Sequence, residues 1–221
     1  MDCKSKKSVN TVKNIMQKDL QEILSSLKGR YAALLALALC RRQKANFLLW
    51  CSLDETRDAL AQSFDKCFNY LSSILQGSGS EKGFEARQEE LKIVLDGTDD
   101  DESFGAEVAA DAAATLELGY EAFAEDNDEA AFEAANLCIS AVAARVAVEN
   151  PDMSDEEAAS NELLITESIV QTKLASMVLR LQNVVGHKNF TSAQIKELLN
   201  AAVPSGLSNI GLPDDPEDED Q

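Results

Sequence analysis

A single histidine, His187, stands in 221 residues, and that scarcity removes much chemistry at once. A Ser-His-Asp or Cys-His arrangement would have to be built on it, and a bundle di-iron site needing two Glu-x-x-His pairs cannot be built at all. His187 follows Gly186 in an expected turn between helices, where it reads as a residue facing helix C-terminal carbonyls rather than as a base. Closely spaced cysteines are also missing. The five stand at 3, 40, 51, 67 and 138 with no C-x-x-C pair, which excludes a cysteine zinc site and points to reduced thiols. No Walker loop or G-x-G-x-x-G occurs, and Gly77, Gly79 and Gly83 follow a helical pattern, so they read as a linker. The acidic run from Asp96 to Glu107 fails as an EF-hand because Asp101 occupies the sixth position, where the loop requires glycine.

Long apolar runs are scarce too. The densest, Tyr31 to Cys40, stops at Arg41-Arg42 after ten residues, too short to cross a bilayer. It lies behind Lys28 and Arg30, unlike a conventional signal peptide, so a cytoplasmic location away from membranes is expected. Basic residues are almost absent from the middle of the chain: between Lys92 and Lys173 only Arg145 is cationic. That stretch repels phosphate backbones, and direct nucleic-acid binding is not expected. No catalytic, cofactor-binding or metal residue emerges from these patterns.

What is abundant is alanine, leucine and glutamate, with few β-branched residues, and helix follows. Apolar positions at Leu20, Leu24, Leu27, Tyr31, Leu34 and Ala38 alternate steps of four and three, with Gly29 as a candidate break. A second stripe runs Leu60, Phe64, Cys67 or Phe68, Leu71 and Leu75 into the Gly-Ser loop 76–80. A helix from Phe84 to Leu95 is expected to close at Asp96-Gly97, followed by an exposed acidic run from Thr98 to Ser103. Two alanine-rich helices come next, with stripes Val108, Ala112, Leu116, Tyr120, Phe123 and Phe132, Ala135, Ile139, Val142, Val146, and Asn127-Asp128 as the cap between them. Their small side chains predict close antiparallel packing. Ser154 with Glu157 is a capping box opening a long helix to Val185, with Leu163, Ile169 or Val170, Leu174, Met177, Leu181 and Val184 inward. Thr191 with Gln194 opens a last helix that stops before Pro204. No strand of useful length is found. The fold class expected is all-α: one bundle of about seven or eight helices over residues 18–212. It is flanked by a flexible basic arm, 1–17, and a disordered acidic tail, 213–221.

The ending Ser208-Asn-Ile-Gly-Leu212, with Asp152-Met-Ser-Asp-Glu156 and Phe104-Gly-Ala-Glu107, resembles the YjaG family of uncharacterised bacterial proteins. The resemblance extends over roughly residues 18–212, including the aliphatic helix ending in Leu39-Cys-Arg41. It implies a single helical domain and carries no activity and no catalytic residues. The basic arm and acidic tail fall outside it, and residues 106–147 are more alanine-rich than the family pattern.

Charge is the remaining functional signal. Residues 1–50 hold ten basic and three acidic side chains (+7), and residues 51–221 hold ten basic and 36 acidic ones (−26). Helix pairs Glu107/Asp111 and Glu117/Glu121, four apart, could hold a divalent cation, but on an acidic helix they read as solvated charges. Arg41, Arg42 and Lys44 read as complements to the dipole of an ending helix rather than as a phosphate patch. The function expected is a non-enzymatic acidic interaction module, an adaptor or an inhibitor of a basic protein. Its candidate docking surface is Glu117, Glu121, Glu125, Asp126 and Glu129. The alternatives are a divalent-cation-dependent enzyme using helix carboxylates, and a structural protein forming a homo-oligomer through the alanine-rich helices.

Overall fold

A computed structural model describes residues 18–213 apart from Asp100, Asp126, Asp128, Asp155, Glu156, Ala159 and His187, and excludes the side chains of Lys18, Glu81 and Glu125. Among the described residues eight α-helices are delimited: α1 (Lys18–Ser26), α2 (Arg30–Ser52), α3 (Asp58–Leu75), α4 (Phe84–Asp99), α5 (Phe104–Glu125), α6 (Ala130–Glu149), α7 (Glu162–Val185) and α8 (Ser192–Ala202). No strand occurs among the described residues beyond one isolated antiparallel bridge, Leu207 with Pro213. That bridge places Pro213 in the folded domain. The expected arm and the remainder of the expected tail lie outside the described residues.

Helix α2 is the centre. Every residue from Tyr31 to Cys40 is buried, so this helix is apolar all round because neighbours surround it. It contacts α3, α5, α6, α7 and α8, most extensively α5. Gly29, at φ 53°, separates α1 from α2 in a left-handed conformation that side chains resist. The closeness of α2 and α5 comes from small residues on both. Ala109, Ala112 and Ala113 are fully buried, and a Cβ at Gly119 would lie 2.8 Å from Leu71 Cδ2 and 3.4 Å from Ala36 Cβ. Most alanines of α5 and α6 are therefore occupied inside the monomer, although Ala124 and Ala147 are exposed. α6 also carries enough apolar length to cross a bilayer, a run the sequence analysis passed over, but here it is a core helix with Ala134, Ala135, Cys138, Ile139 and Val142 fully buried.

Aromatic packing closes the α3 side. Phe47 stacks on Phe64 with centroids 4.3 Å apart, and the Tyr120 hydroxyl donates to the Cys67 carbonyl at 2.7 Å. Burial drives the Tyr120 phenol well above its usual range and lifts the Cys67 thiol to about 11. Cys40, Cys51, Cys67 and Cys138 are free and buried, which makes them packing residues.

Several boundaries differ from expectation. α4 does not close at Asp96-Gly97 but runs on to Asp99, because Gly97 lets Leu60 approach where a Cβ would lie 2.7 Å from its Cδ1. The run after it is not simply exposed. Thr98 is buried, and Asp101 accepts from Trp50 Nε1 at 2.9 Å and from Arg57 Nη2 at 3.0 Å. The Arg57 guanidinium lies 4.1 Å from the centre of the Trp50 ring. These donors, with Ser103, hold the Asp101 carboxyl down to about 2. The Ser154–Glu157 capping box forms, yet α7 starts later, with Asn161 accepting from the Leu163 N–H at 2.9 Å as its N-cap. Ile169 and Val184 face solvent, and Val170 takes the core position. Asn127 makes a local turn by accepting from the Glu129 N–H at 3.0 Å. Asp128 lies outside the described residues. The Thr191–Gln194 capping box opens α8 as expected.

Because Gly119 sits where α5, α2 and α3 meet, Gly119→Leu is expected to destabilise the protein by roughly 1–3 kcal/mol through overpacking. Urea unfolding followed by circular dichroism checks this, and an unchanged midpoint would contradict the close seam.

Candidate functional site

The acidic surface expected from the sequence is assembled only in part. Glu117 and Glu121 are one turn apart on α5, both half-buried, and Asn127 Nδ2 donates to Glu121 Oε2 at 3.3 Å. Burial, then the Glu121 charge, raises the Glu117 carboxyl above its ordinary value, with Lys92 of α4 opposing. Glu129 is exposed before α6. Asp126 and the Glu125 side chain lie outside the described residues. The wider face is more uniform than these five positions: residues 84–149 carry 18 acidic side chains against three basic ones, Arg87, Lys92 and Arg145. All three cations are bound to glutamates there, Arg87 to Glu90, Lys92 to Glu89 and Arg145 to Glu149.

The pair Glu107 and Asp111 does not read as two solvated charges. Glu107 is exposed, but Asp111 is drawn into the bundle, and burial, then Glu107, raises its carboxyl to about 7. Its backbone carbonyl accepts from Thr115 Oγ1 at 2.7 Å, and Thr115 Oγ1 in turn accepts from Gln43 Nε2 at 2.8 Å. Among the described residues no three His, Cys, Asp or Glu side chains converge as metal ligands. His187, the one candidate for a base, lies outside the described residues.

The densest polar constellation was not anticipated. Arg42 does not cap an ending helix. It lies in mid-α2, almost wholly buried, with Nε 2.7 Å from Oε2 of the fully buried Glu167 on α7. Its Nη1 donates to the carbonyls of Ala202 at 3.1 Å and Leu207 at 3.2 Å. Gln171 Nε2 reaches both Glu167 Oε1 and the Ala135 carbonyl at 3.1 Å. Lys44, from the same basic cluster, pairs with Asp65 on α3. Charges taken out of water are tolerable only when they are paired and further hydrogen-bonded, and here Arg42 Nη1 and Glu167 Oε1 each find partners beyond the ion pair.

The Ser208–Leu212 ending completes the constellation. Asn209 is buried, its N–H donating to the Arg42 carbonyl at 3.1 Å and its Nδ2 to the Cys138 carbonyl at 3.0 Å. Its Oδ1 therefore faces Asn46, which donates Nδ2 at 2.8 Å. Ser208 and Leu212 exchange two bonds around Gly211, whose φ of 77° suits glycine, and Arg145 donates to the Ile210 carbonyl. The segment most distinctive in sequence is thus the clasp that fastens the C-terminal return onto α2 and α6.

A signal for this clasp was present. Leu35, Leu39, Arg42 and Asn46 follow one helical stripe, as do Leu164, Glu167, Gln171, Leu174 and Val178. Polar residues at core positions of a stripe are the mark of a buried network, and a search restricted to apolar residues steps past them.

Removing one partner should be far more damaging than removing both. Glu167→Ala is expected to cost roughly 3–5 kcal/mol, and Arg42→Met with Glu167→Leu to recover most of that loss. Thermal melts of the single and double variants decide it. Asp111 should make stability depend on pH. The folded protein keeps its proton to about pH 7, whereas the unfolded chain releases it near the ordinary 3.8. The folded state binds the extra proton between those values, so stability falls as pH rises from 3.8 towards 7. In Asp111→Asn this decline should be lost, with melting temperature gained at pH 8 relative to the parent and little changed at pH 4.

Comparison with known proteins follows the same outline. An uncharacterised protein of Haemophilus influenzae is 26% identical over 199 residues, spanning 89% of this chain and 98% of its own. The crystal structure of a DUF416 family protein from Shewanella baltica superposes with a TM-score of 0.67 at 20% identity, covering 87% of this chain and 97% of that one, which shows the shared fold. The family described as a protein of unknown function, DUF416, matches residues 19–213, the span from α1 through the clasp to Pro213. The chain belongs to the DUF416 family.

Proposed function

We propose that this protein is a non-enzymatic interaction module whose acidic α4–α6 face docks a basic protein, as an adaptor or an inhibitor of that partner. The observation that carries the reading is the segregation of charge on a tightly packed frame, 18 acidic against three basic side chains over residues 84–149, the three already bound to glutamates. Such a face concentrates a basic partner and speeds its encounter, with a strength that falls as salt rises. Glu117, Glu121, Glu125, Asp126 and Glu129 form its centre in this reading. The cytoplasm is the compartment in which it would work, and the Ser208–Leu212 ending supports a kinship with YjaG-like proteins within its family. A homo-oligomer would have to use surfaces other than the alanine seams, which are occupied within the monomer.

A second reading rests on Asp111. A carboxyl raised to about 7 by burial and by Glu107 is the kind of group that a divalent cation would relieve, as a cation-dependent enzyme requires.

The first reading is tested by immobilising the full chain beside a variant carrying Glu117→Gln, Glu121→Gln, Glu125→Gln, Asp126→Asn and Glu129→Gln. The expected result is a basic protein retained from bacterial extract at low salt, released at high salt, and lost in the variant while the melting temperature holds. Equal retention by both proteins would overturn the acidic surface. For the second reading, magnesium or calcium should raise the melting temperature of the parent but not of Asp111→Asn. No shift in the parent removes it.

A further inference from the structure

The end of the domain reverses the charge pattern. Residues 168–212 carry four basic side chains, Lys173, Arg180, Lys188 and Lys196, against one acidic, Glu197. Here α7 and α8 leave a cleft of about 480 Å³ between them. Met177 and Leu181 of α7 and Ala201 of α8 supply its apolar lining, Lys173 and Arg180 its cationic groups, and Glu197 its one carboxylate. Lys173 and Arg180 are exposed and make no ion pair among the described residues. Seven residues apart on one helix, they lie about 10 Å from each other along its axis.

We propose that this cleft receives the chain's own acidic segment, Asp214–Gln221, laid across Lys173 and Arg180. Three observations support the assignment. The segment holds six carboxylates in eight residues and no cation, complementary to the two cations of the cleft. It departs from the right place. Pro213 pairs with Leu207, and a single nitrogen of Arg42 holds the carbonyls of both Leu207 and Ala202, so the departure point lies close to the end of α8 where Ala201 borders the cleft. It is also long enough, since eight extended residues span roughly 26 Å, more than twice the separation of the two cations. Tethering gives the segment a millimolar-scale effective concentration, so two exposed ion pairs of modest strength suffice to hold it. Docked there, it competes with other polyanions for the same two cations. The inference is independent of the partner proposed for the acidic face.

The test is zero-length carbodiimide cross-linking of the full chain at low salt and low micromolar concentration, read by mass spectrometry. Lys44 with Asp65, 2.7 Å apart, and Lys92 with Glu89, 3.0 Å apart, are internal controls that must link. The expected result is a link from the Lys173 amine to a carboxylate within Asp214–Asp220 inside one chain. It should fall about tenfold in Arg180→Gln, which keeps the reacting lysine, and comparably at roughly 0.5 M salt. Arg180 is exposed, so an unchanged melting temperature is expected to accompany the loss. Control links without any link to Lys173 would overturn the proposal. So would links that ignore Arg180, or links formed only between labelled and unlabelled copies, the latter assigning the cleft to a second molecule's segment.

Discussion

A charge buried in a protein must be paired where it lies, and in this bundle that constraint organises the C-terminal half. Arg42 sits in the middle of α2, the helix that contacts α3, α5, α6, α7 and α8, and its guanidinium links Glu167 of α7 with the carbonyls that end α8 and begin the return. Glu167 is held in turn by Gln171, which also ties α7 to α6 through Ala135. Helix ends and connections that would leave carbonyls without donors are thereby satisfied by one side chain. An apolar core of the same volume could be as stable, but it would not dictate which carbonyls meet which helix. Asn209 extends the same logic, because its backbone N–H and side-chain oxygen pair with Arg42 and Asn46 of α2 while its side-chain nitrogen pairs with Cys138 of α6.

The N-terminal and central helices follow a different principle. Between α2 and α5 the contact is made by alanine and glycine, so the backbones approach and specificity comes from steric fit rather than from bonds. Larger residues stand at the edges of this seam, where Phe47, Phe64 and Trp50 fill the space towards α3. Two designs therefore coexist in one domain, a small-residue seam and a polar clasp, and α2 takes part in both.

The surface has its own division. Carboxylates crowd α4–α6, while residues 168–212, which include α8 and most of α7, carry four basic side chains against one acidic, so the molecule presents opposite charge on different segments. A net charge of −19 conceals this arrangement. It bears on function because electrostatic docking depends on local potential within a Debye length, not on the total. Asp111 differs from the carboxylates around it. It is a carboxyl drawn under the acidic surface whose protonation answers to its burial and to Glu107.

Much of the architecture was legible in the residues alone. The step-of-three-and-four stripes, the Thr191–Gln194 box and the break at Gly29 are local signals, and periodicity and capping act over one or two turns, so the all-helical class and most helix positions followed from them. Family resemblance likewise rested on a short ending that can be read in order. Where the reading failed, the deciding partner was distant in sequence. Gly97 looked like a stop until Leu60 was placed against it. Thr98–Ser103 looked exposed until Trp50 and Arg57 reached Asp101. Arg42 looked like a helix terminus until Glu167, 125 residues away, was found beside it. The helices, their apolar faces and the excess of negative charge are readable along the chain, because they depend on near neighbours. Which polar residues are buried and which charges meet emerges from the fold, because desolvation and pairing depend on what it brings within a few ångströms.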